Sequence, residues 1–341
     1  MSIRIRFWIA LCLLGSVLVG CRVTDIPIWE SVRIATDGPC EVHKIGEIPY
    51  CDGPRLQAHR HTLDLYLPKG RRDFPVVFLV HGGAWVYGDN RCCGLYSSVG
   101  EFLARHGIGA VLPNYRLSPL VKHPEHIKDV ARAFAWTRHN IGKYGGAVDQ
   151  LFLAGHSAGG HLVALLATDE CYLRDEGLKT DDIRGVIAVS GVYNIPPGMT
   201  DFTLGGRSAV AFHLRQVGLV RGEPEPDDRE HRLKFKGIPM RIDPYWPAFG
   251  SDPDKRAAAS PLNHVRPGLP PFLIMHADND LPTLPTMARE FHEALRKCGV
   301  EATLLEVPRR NHSSICFRAI ESEDVVARAA LEFVNKHTKK N

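Results

Sequence analysis

The sequence predicts an α/β protein in which a mostly parallel sheet is covered by helices on both faces. From about His61 to the C-terminus, short apolar segments alternate with longer segments whose apolar residues recur at helical spacing. Continuous apolar segments are typical of strands buried on both faces, and their alternation with helices is typical of a parallel sheet. Residues from 194 to about 258 interrupt this alternation with several prolines and charged clusters. A connection of that length predicts an inserted cap over the strand ends.

Each element follows from a local pattern. Apolar or alternating segments predict strands at residues 62–67, 75–80, 108–112, 151–154, 183–189, 271–275 and 302–307. Helical spacing predicts helices at residues 98–106, 126–141, 159–168, 287–298 and 326–334. In the second of these helices, for example, Ile127, Val130 and Phe134 recur at intervals of three and four residues, which places them on one face. The segment before the first predicted strand, residues 21–55, contains four prolines and is predicted to be an exposed leader.

Composition and charge exclude several classes of protein. The chain has 341 residues, of which 44% are hydrophobic and 23% are charged, proportions typical of a folded globular protein. These proportions argue against a disordered protein and a polytopic membrane protein. The formal net charge of +4 gives no electrostatic reason to expect a nucleic-acid partner. No cysteine and histidine spacing typical of a zinc site is present, so we expect neither a metal nor a cofactor.

The N-terminus predicts export. Arg4 and Arg6 precede an apolar segment at residues 7–19, which is followed by Gly20 and Cys21. A basic start before a short apolar segment is typical of a secretory signal peptide, and the segment is too short to span a bilayer comfortably. The ending Leu-Val-Gly-Cys resembles the lipobox of bacterial lipoproteins, in which the cysteine is acylated after cleavage. The sequence therefore predicts a signal peptide at residues 1–20 and a lipid anchor on Cys21, facing the periplasm or the cell exterior. The alternative is an ordinary signal peptide that is cut elsewhere.

An exported protein lies in a compartment where disulfide bonds persist. Cys40 and Cys51 flank a loop that contains glycine and proline, which suggests that they pair. Cys298 and Cys316 are a second suggested pair. Without Cys12 and Cys21 an odd number of cysteines remains, so at least one thiol is expected to stay free or to pair between chains.

The sharpest chemical signal is a Gly-x-Ser-x-Gly motif, formed by Gly155, Ser157 and Gly159, between a predicted strand and a predicted helix. Such a turn holds the serine in a strained backbone conformation and crowds its neighbours, so the flanking positions lack side chains. The helix N-terminus behind Ser157 places the positive end of a dipole near a developing oxyanion. We therefore predict that Ser157 is a nucleophile; the alternative is a glycine-rich turn packed closely against a helix.

A nucleophilic serine needs a base to take its proton and an acid to orient that base. After an elbow of this kind the acid and then the histidine follow in chain order. Asp278 and Asp280 follow the predicted strand at 271–275, and His312 follows the last predicted strand. Both positions lie just past the carboxyl ends of parallel strands, where open α/β sheets bind ligands. His312 is the predicted base and Asp280 the predicted acid, with Asp278 as its rival.

A third motif, at residues 81–85, directly follows the predicted strand at 75–80. Acyl transfer develops negative charge on a carbonyl oxygen, which backbone N–H groups stabilise, and glycines let the main chain approach it closely. The predicted oxyanion hole comprises Gly82, Gly83 and Ala84. We expect Gly83 and Ala84 to donate, together with the N–H of Ala158.

These motifs resemble the α/β-hydrolase superfamily, in particular the carboxylesterases of its hormone-sensitive-lipase and feruloyl-esterase-like branches. The resemblance runs from about His61 to the C-terminus and depends on residues 81–85, 114–119, 123–124, 155–161 and 259–262. It implies an α/β-hydrolase domain at residues 56–341, with the cap at about 194–258, that cleaves a small-molecule carboxylic ester. Ala84 departs from the family pattern, which usually has a third glycine there. Two alternatives remain: an aryl-formamidase or amidase, which Trp85 also suggests, and a non-catalytic binding module on the same fold.

Overall fold

The computed structural model describes residues 38–51, 59–198, 200–204 and 238–339. The predicted signal peptide and Cys21 lie outside these residues, as do positions 205–237 of the predicted insertion. Among the helices of the described ranges, none is both long and apolar enough to cross a membrane.

Strands make two separate sheets. In chain order they are β1 (Val42–Pro49), β2 (Thr62–Pro68), β3 (Phe74–Val80), β4 (Gly109–Pro113), β5 (Gly146–His156), β6 (Gly185–Val189), β7 (Thr200–Leu204), β8 (Ile238–Ile242), β9 (Phe272–Asn279) and β10 (Ala302–Asn311). The main sheet has the order β1-β2-β4-β3-β5-β6-β9-β10, and β7 pairs with β8 in the second sheet. Within the main sheet β2 is antiparallel to both neighbours and the other pairings are parallel. The predicted α/β fold with a mostly parallel sheet is confirmed.

Helices connect the parallel strands. They are α1 (Leu95–Arg105), α2 (Glu125–Asn140), α3 (Ala158–Thr168), α4 (Cys171–Asp175), α5 (Trp246–Phe249), α6 (Pro253–Ala258), α7 (Leu284–Lys297), α8 (Ser314–Phe317) and α9 (Val325–His337). Short 3-10 turns occur at Cys92–Gly94, Ile141–Tyr144, Thr180–Asp182 and Pro261–His264.

Helices pack on both faces of the sheet because its strands are apolar on both faces. In β3, Phe78 and its alternate neighbours join one buried cluster, whereas Val77 and Leu79 join another. On the first face Phe78 meets Phe134 of α2 edge to face, with ring centroids 5.5 Å apart. On the other face Phe333 of α9 belongs to the same cluster as Val77. This alternation gives the sheet two hydrophobic layers and leaves its strand ends free for a site.

The segment predicted to be an exposed leader contains the edge strand β1. Most side chains of β1 are exposed, and a bulge at Glu47, with φ of 60°, breaks their alternation. The backbone N–H of Glu47 donates to the buried carboxylate of Asp64 at 2.8 Å, and the guanidinium of Arg91 donates to the same carboxylate at 2.7 and 2.8 Å. These polar contacts come from distant parts of the chain and help to hold β1 on the sheet. Because they are not local, no apolar pattern in the sequence predicted this strand.

Neither suggested disulfide is formed. Cys40, Cys298 and Cys316 are free thiols. Cys40 and Cys316 are buried, where a thiol packs as a small apolar side chain.

The predicted insertion divides at residue 244. The described strands β7 and β8 belong to a second compact unit, in which they form an antiparallel pair. From Tyr245 onward the chain belongs to the main unit, and Phe249 on α5 packs edge to face on Trp85 at 4.8 Å. The end of the segment predicted as a cap therefore forms part of the hydrophobic core beside the motif at residues 81–85.

Candidate active site

Ser157 lies at the sharp turn between β5 and α3. Its φ of 56° and ψ of −119° are strained for a residue with a side chain, and its N–H donates to the carbonyl of Val189 at 2.9 Å. A Cβ on Gly155 would overlap the backbone of Gly159, and one on Gly159 would overlap the carbonyl of Val80. Only glycine fits at these two positions, so the motif is a steric requirement of the turn that presents the serine hydroxyl.

The hydroxyl, the imidazole and a carboxylate form one continuous chain of hydrogen bonds. His312 Nε2 lies 2.9 Å from Ser157 Oγ, and His312 Nδ1 lies 2.7 Å from Asp280 Oδ1. The Asp280 side chain is fully buried, and that of His312 is 14% exposed. Because Asp280 accepts at Nδ1, the imidazole presents an unprotonated Nε2 to the hydroxyl, the tautomer a base needs.

Several donors keep the Asp280 carboxylate ionised. Ser190 donates to Oδ2 at 2.5 Å, the N–H of Ala277 donates to the same oxygen at 3.1 Å, and the N–H of Leu281 donates to Oδ1 at 2.8 Å. Burial opposes ionisation of Asp280, but the hydrogen bonds, first of all that from His312, outweigh it, so the pKa of Asp280 is lowered to about 2. Ser190, which the sequence analysis did not single out, directly follows the buried strand β6, and that position at a strand end was its available signal.

Asp278, the rival acid, contacts the main chain before His312 instead of the imidazole. Its carboxylate accepts from the N–H of Arg309 at 2.7 Å and of Arg310 at 3.0 Å, and these bonds lower its pKa. Arg309 has φ of 56°, so the carboxylate holds a strained turn three residues before His312. The structure thus separates the two aspartates: Asp280 meets the imidazole and Asp278 meets its supporting loop.

The loop at residues 81–85 lies beside Ser157. A Cβ on Gly82 would come within 3.2 Å of Ser157 Cβ, and Gly83, Ala84 and Trp85 all have positive φ. Within the described ranges the backbone N–H groups of Gly83, Ala84 and Ala158 have no hydrogen-bond acceptor. These groups match the donors predicted for an oxyanion hole.

Gly82 is the exception among the predicted oxyanion residues. Its N–H donates to the Tyr96 hydroxyl at 2.7 Å and so is not available to a substrate. The motif could not show this, because Tyr96 lies on α1 and reaches the loop only in the folded chain. In the part of the chain that the structure describes, no cluster of His, Cys, Asp and Glu is arranged to hold a metal ion.

The chain is similar to two protein-family models and to known esterases. The BD-FAE family model matches residues 63–205, which include Ser157 and the loop at 81–85, and the prolyl oligopeptidase family model matches residues 241–341, which include Asp280 and His312. The esterase LipQ of Mycobacterium tuberculosis is 32% identical over 84% of this chain and 61% of its own length. This chain spans about half to three fifths of the curated relatives it matches.

Solved structures share the fold. A truncated carbohydrate esterase from gut microbiota is 20% identical with a TM-score of 0.65, covering 89% of this chain and 99% of its own. Esterase B from Lactobacillus rhamnosis is 22% identical with a TM-score of 0.64, covering 97% of this chain and 95% of its own. At such identities the likeness establishes a common α/β-hydrolase architecture.

Proposed function

Because this chain belongs to the carboxylesterases of the α/β-hydrolase superfamily, we propose that it hydrolyses small-molecule carboxylic esters through an acyl-serine intermediate. The observation that carries the proposal is the unbroken series of hydrogen bonds from Asp280 through His312 to Ser157. Such an arrangement turns a weakly nucleophilic hydroxyl into one that attacks a carbonyl carbon.

In the proposed reaction Ser157 Oγ attacks the ester carbonyl while its proton passes to His312 Nε2. The carbonyl oxygen becomes an oxyanion that accepts from the N–H groups of Gly83, Ala84 and Ala158. The carbon–oxygen bond to the alcohol then breaks, and His312 gives its proton to the leaving oxygen. Water, deprotonated by His312, then attacks the acyl carbon; the bond to Ser157 Oγ breaks, His312 returns its proton to Oγ, and the acid is released. Asp280 stays ionised and stabilises the imidazolium that forms twice.

An amide is the second candidate substrate, and one observation favours it. Residues 241–341, which supply the acid and the base, match a family named for an oligopeptidase. An amine leaves less readily than an alcohol and needs its proton earlier in the reaction. The same arrangement of Ser157, His312 and Asp280 can protonate either leaving group, so it does not distinguish an ester from an amide. A p-nitrophenyl ester and the p-nitroanilide of the same acid separate the two, and we expect the ester to react faster.

A fluorophosphonate probe tests whether the chain is an enzyme at all. We expect the folded protein to react covalently with the probe, and mass spectrometry to find the phosphonyl group on the peptide that contains Ser157. Protein unfolded before exposure is the control, because an isolated serine hydroxyl does not react. A folded protein that takes no label, or takes it on another residue, would contradict the proposal and favour a binding module.

We also propose that the mature protein is exported and held by lipid on Cys21 at a membrane, facing the periplasm or the cell exterior. The support is the Leu-Val-Gly-Cys ending of the apolar N-terminal segment. Each buried methylene contributes about 0.8 kcal/mol, so several acyl chains give stable anchoring. We expect mass spectrometry of membrane-fraction protein to find an acylated N-terminal Cys21, and Cys21→Ser to move the protein out of that fraction. An unmodified N-terminus cut elsewhere would exclude the anchor.

A further inference from the structure

A buried series of hydrogen bonds joins the loop at residues 81–85 to the backbone of His312. The N–H of Gly82 donates to Tyr96 Oη at 2.7 Å, that hydroxyl lies 3.4 Å from His156 Nδ1, and His156 Nε2 lies 2.8 Å from the carbonyl oxygen of His312. Tyr96 is 6% exposed and His156 is 8% exposed. The ester-hydrolysis mechanism described above uses neither side chain.

The direction of each bond is determined by its ends. The carbonyl of His312 can only accept, so His156 Nε2 carries a proton. Burial lowers the pKa of His156 to about 3, so its ring is neutral and Nδ1 is an acceptor. The Tyr96 hydroxyl therefore donates to Nδ1, and its oxygen is left to accept from Gly82. All three contacts are satisfied by one arrangement of protons, so the series runs in a single direction.

We propose that Tyr96 and His156 are positioning residues that align the oxyanion loop with the base on either side of Ser157. The inference rests on the proposed ester hydrolysis. Gly82 directly precedes the donors Gly83 and Ala84, and the carbonyl that His156 binds belongs to the residue that carries the base. The series thus connects the loop that stabilises the oxyanion with the residue that takes the proton of Ser157, and both are needed in the same step.

The proposed proton transfer also requires the His156 side chain to be neutral. When the proton of Ser157 passes to His312, an imidazolium forms whose ring centroid lies 4.8 Å from that of His156. A second positive charge at that distance would oppose proton transfer. His156 occupies the variable position of the Gly-x-Ser-x-Gly motif, so the motif gave no reason to assign it a role.

Tyr96→Phe tests the inference by removing a single oxygen atom. Tyr66→Phe is the matched control, because Tyr66 is also buried, at 2% exposure, and its hydroxyl has no hydrogen-bond partner within the described ranges. For the best p-nitrophenyl ester we expect Tyr96→Phe to lower kcat about ten-fold with KM changed less than about two-fold. The rate of fluorophosphonate labelling should fall in parallel. Tyr66→Phe should leave kcat, KM and the labelling rate within about two-fold of wild type.

Variants of His156 test the other half of the series. The side-chain amide of His156→Gln extends to about the position of Nε2, so it can still donate to the His312 carbonyl, and we expect kcat within about three-fold of wild type. His156→Leu removes both contacts and should lower kcat about ten-fold. Because the side chains act in series, Tyr96→Phe combined with His156→Leu should cost no more than the worse single variant.

The outcomes separate the inference from the function on which it rests. Wild-type protein that neither cleaves an ester nor takes the probe would refute the proposed function. Active wild type, with Tyr96→Phe indistinguishable from Tyr66→Phe, would overturn the positioning role alone. A change confined to KM would also overturn it, because the side chains would then affect binding rather than alignment. Thermal unfolding monitors each variant, and if His156→Leu does not fold, the two tyrosine variants decide the question.

Discussion

We expect Ser157→Ala and His312→Ala each to lower kcat/KM for an ester by about 10⁴- to 10⁶-fold, and the double variant to be no slower than the worse single one. Ser157 Oγ lies 2.9 Å from His312 Nε2, and in the proposed mechanism the two side chains act together. Removing either one should therefore abolish attack by the serine. The residual hydrolysis should come from direct attack of water on a carbonyl group whose oxygen still accepts from the oxyanion donors. Steady-state kinetics of the purified variants, with their thermal unfolding as the check on folding, measures the effect. Additive losses in the double variant would contradict a shared role.

The two nearby aspartates supply a matched comparison for the same site. Asp280→Asn should lower kcat about 10³- to 10⁴-fold, because an amide that donates toward His312 Nδ1 favours the wrong tautomer of the imidazole. Asp278→Asn retains one acceptor for the N–H groups of Arg309 and Arg310, so kcat should fall by less than about ten-fold. Equal losses in the two variants, or a larger loss in Asp278→Asn, would contradict the assignment of Asp280 as the acid.

The sequence predicted those parts of the fold that depend on local patterns. The alternation of Val77 and Leu79 with Phe78 across the two core layers follows directly from apolar residues in a strand. The turn at Ser157 was predictable for a related reason, since Gly155 and Gly159 are required by contacts within the same strand–turn–helix unit and with the adjacent strand β3. Helix α2, predicted at 126–141, occupies Glu125–Asn140.

Long-range polar contacts were not predictable. β1 is held by Asp64 and Arg91, from other parts of the chain, and its bulge hides any alternation. β10 was predicted to end at residue 307 but continues to Asn311 after a shift in register, where Asp278 binds the turn. The choice between Asp280 and Asp278 likewise depended on which carboxylate the folded chain turns toward His312.

We expect acid to destabilise the fold at a pH well above that at which most of its carboxylates protonate. Four buried histidines and the half-buried His123 have lowered pKa values because burial disfavours their charged form, to about 4 for His81 and His123 and to about 3 for His126, His156 and His161. In the unfolded chain a histidine has a pKa of about 6.5. Between these values the unfolded state binds protons that the folded state does not, so the free energy of unfolding falls as the pH falls.

The expected loss begins as the pH drops through about 6.5 and continues until the folded-state pKa values are reached. Each histidine contributes up to about 1.4 kcal/mol per pH unit within that window. Asp280, whose pKa is lowered to about 2, stabilises the fold at neutral pH and loses this contribution only below about pH 4, so it does not account for a loss near pH 5. Urea unfolding between pH 7.5 and 4.5 should therefore show a steep fall in the midpoint.

A pair of variants identifies the source of the acid sensitivity. His126 is 1% exposed, and its Nε2 lies 3.0 Å from Ser118 Oγ, whereas His139 is exposed on the same helix. His126→Gln removes one group that must stay neutral in the fold, so the slope of unfolding free energy against pH near pH 5 should decrease by up to about 1.4 kcal/mol per unit. His139→Gln should leave the slope unchanged, because an exposed side chain has similar surroundings in the folded and the unfolded state. A wild-type midpoint that stays constant from pH 7.5 to 5 would show that the folded protein does not lower the pKa values of these histidines. That result would also contradict the inference that His156 stays neutral beside the base.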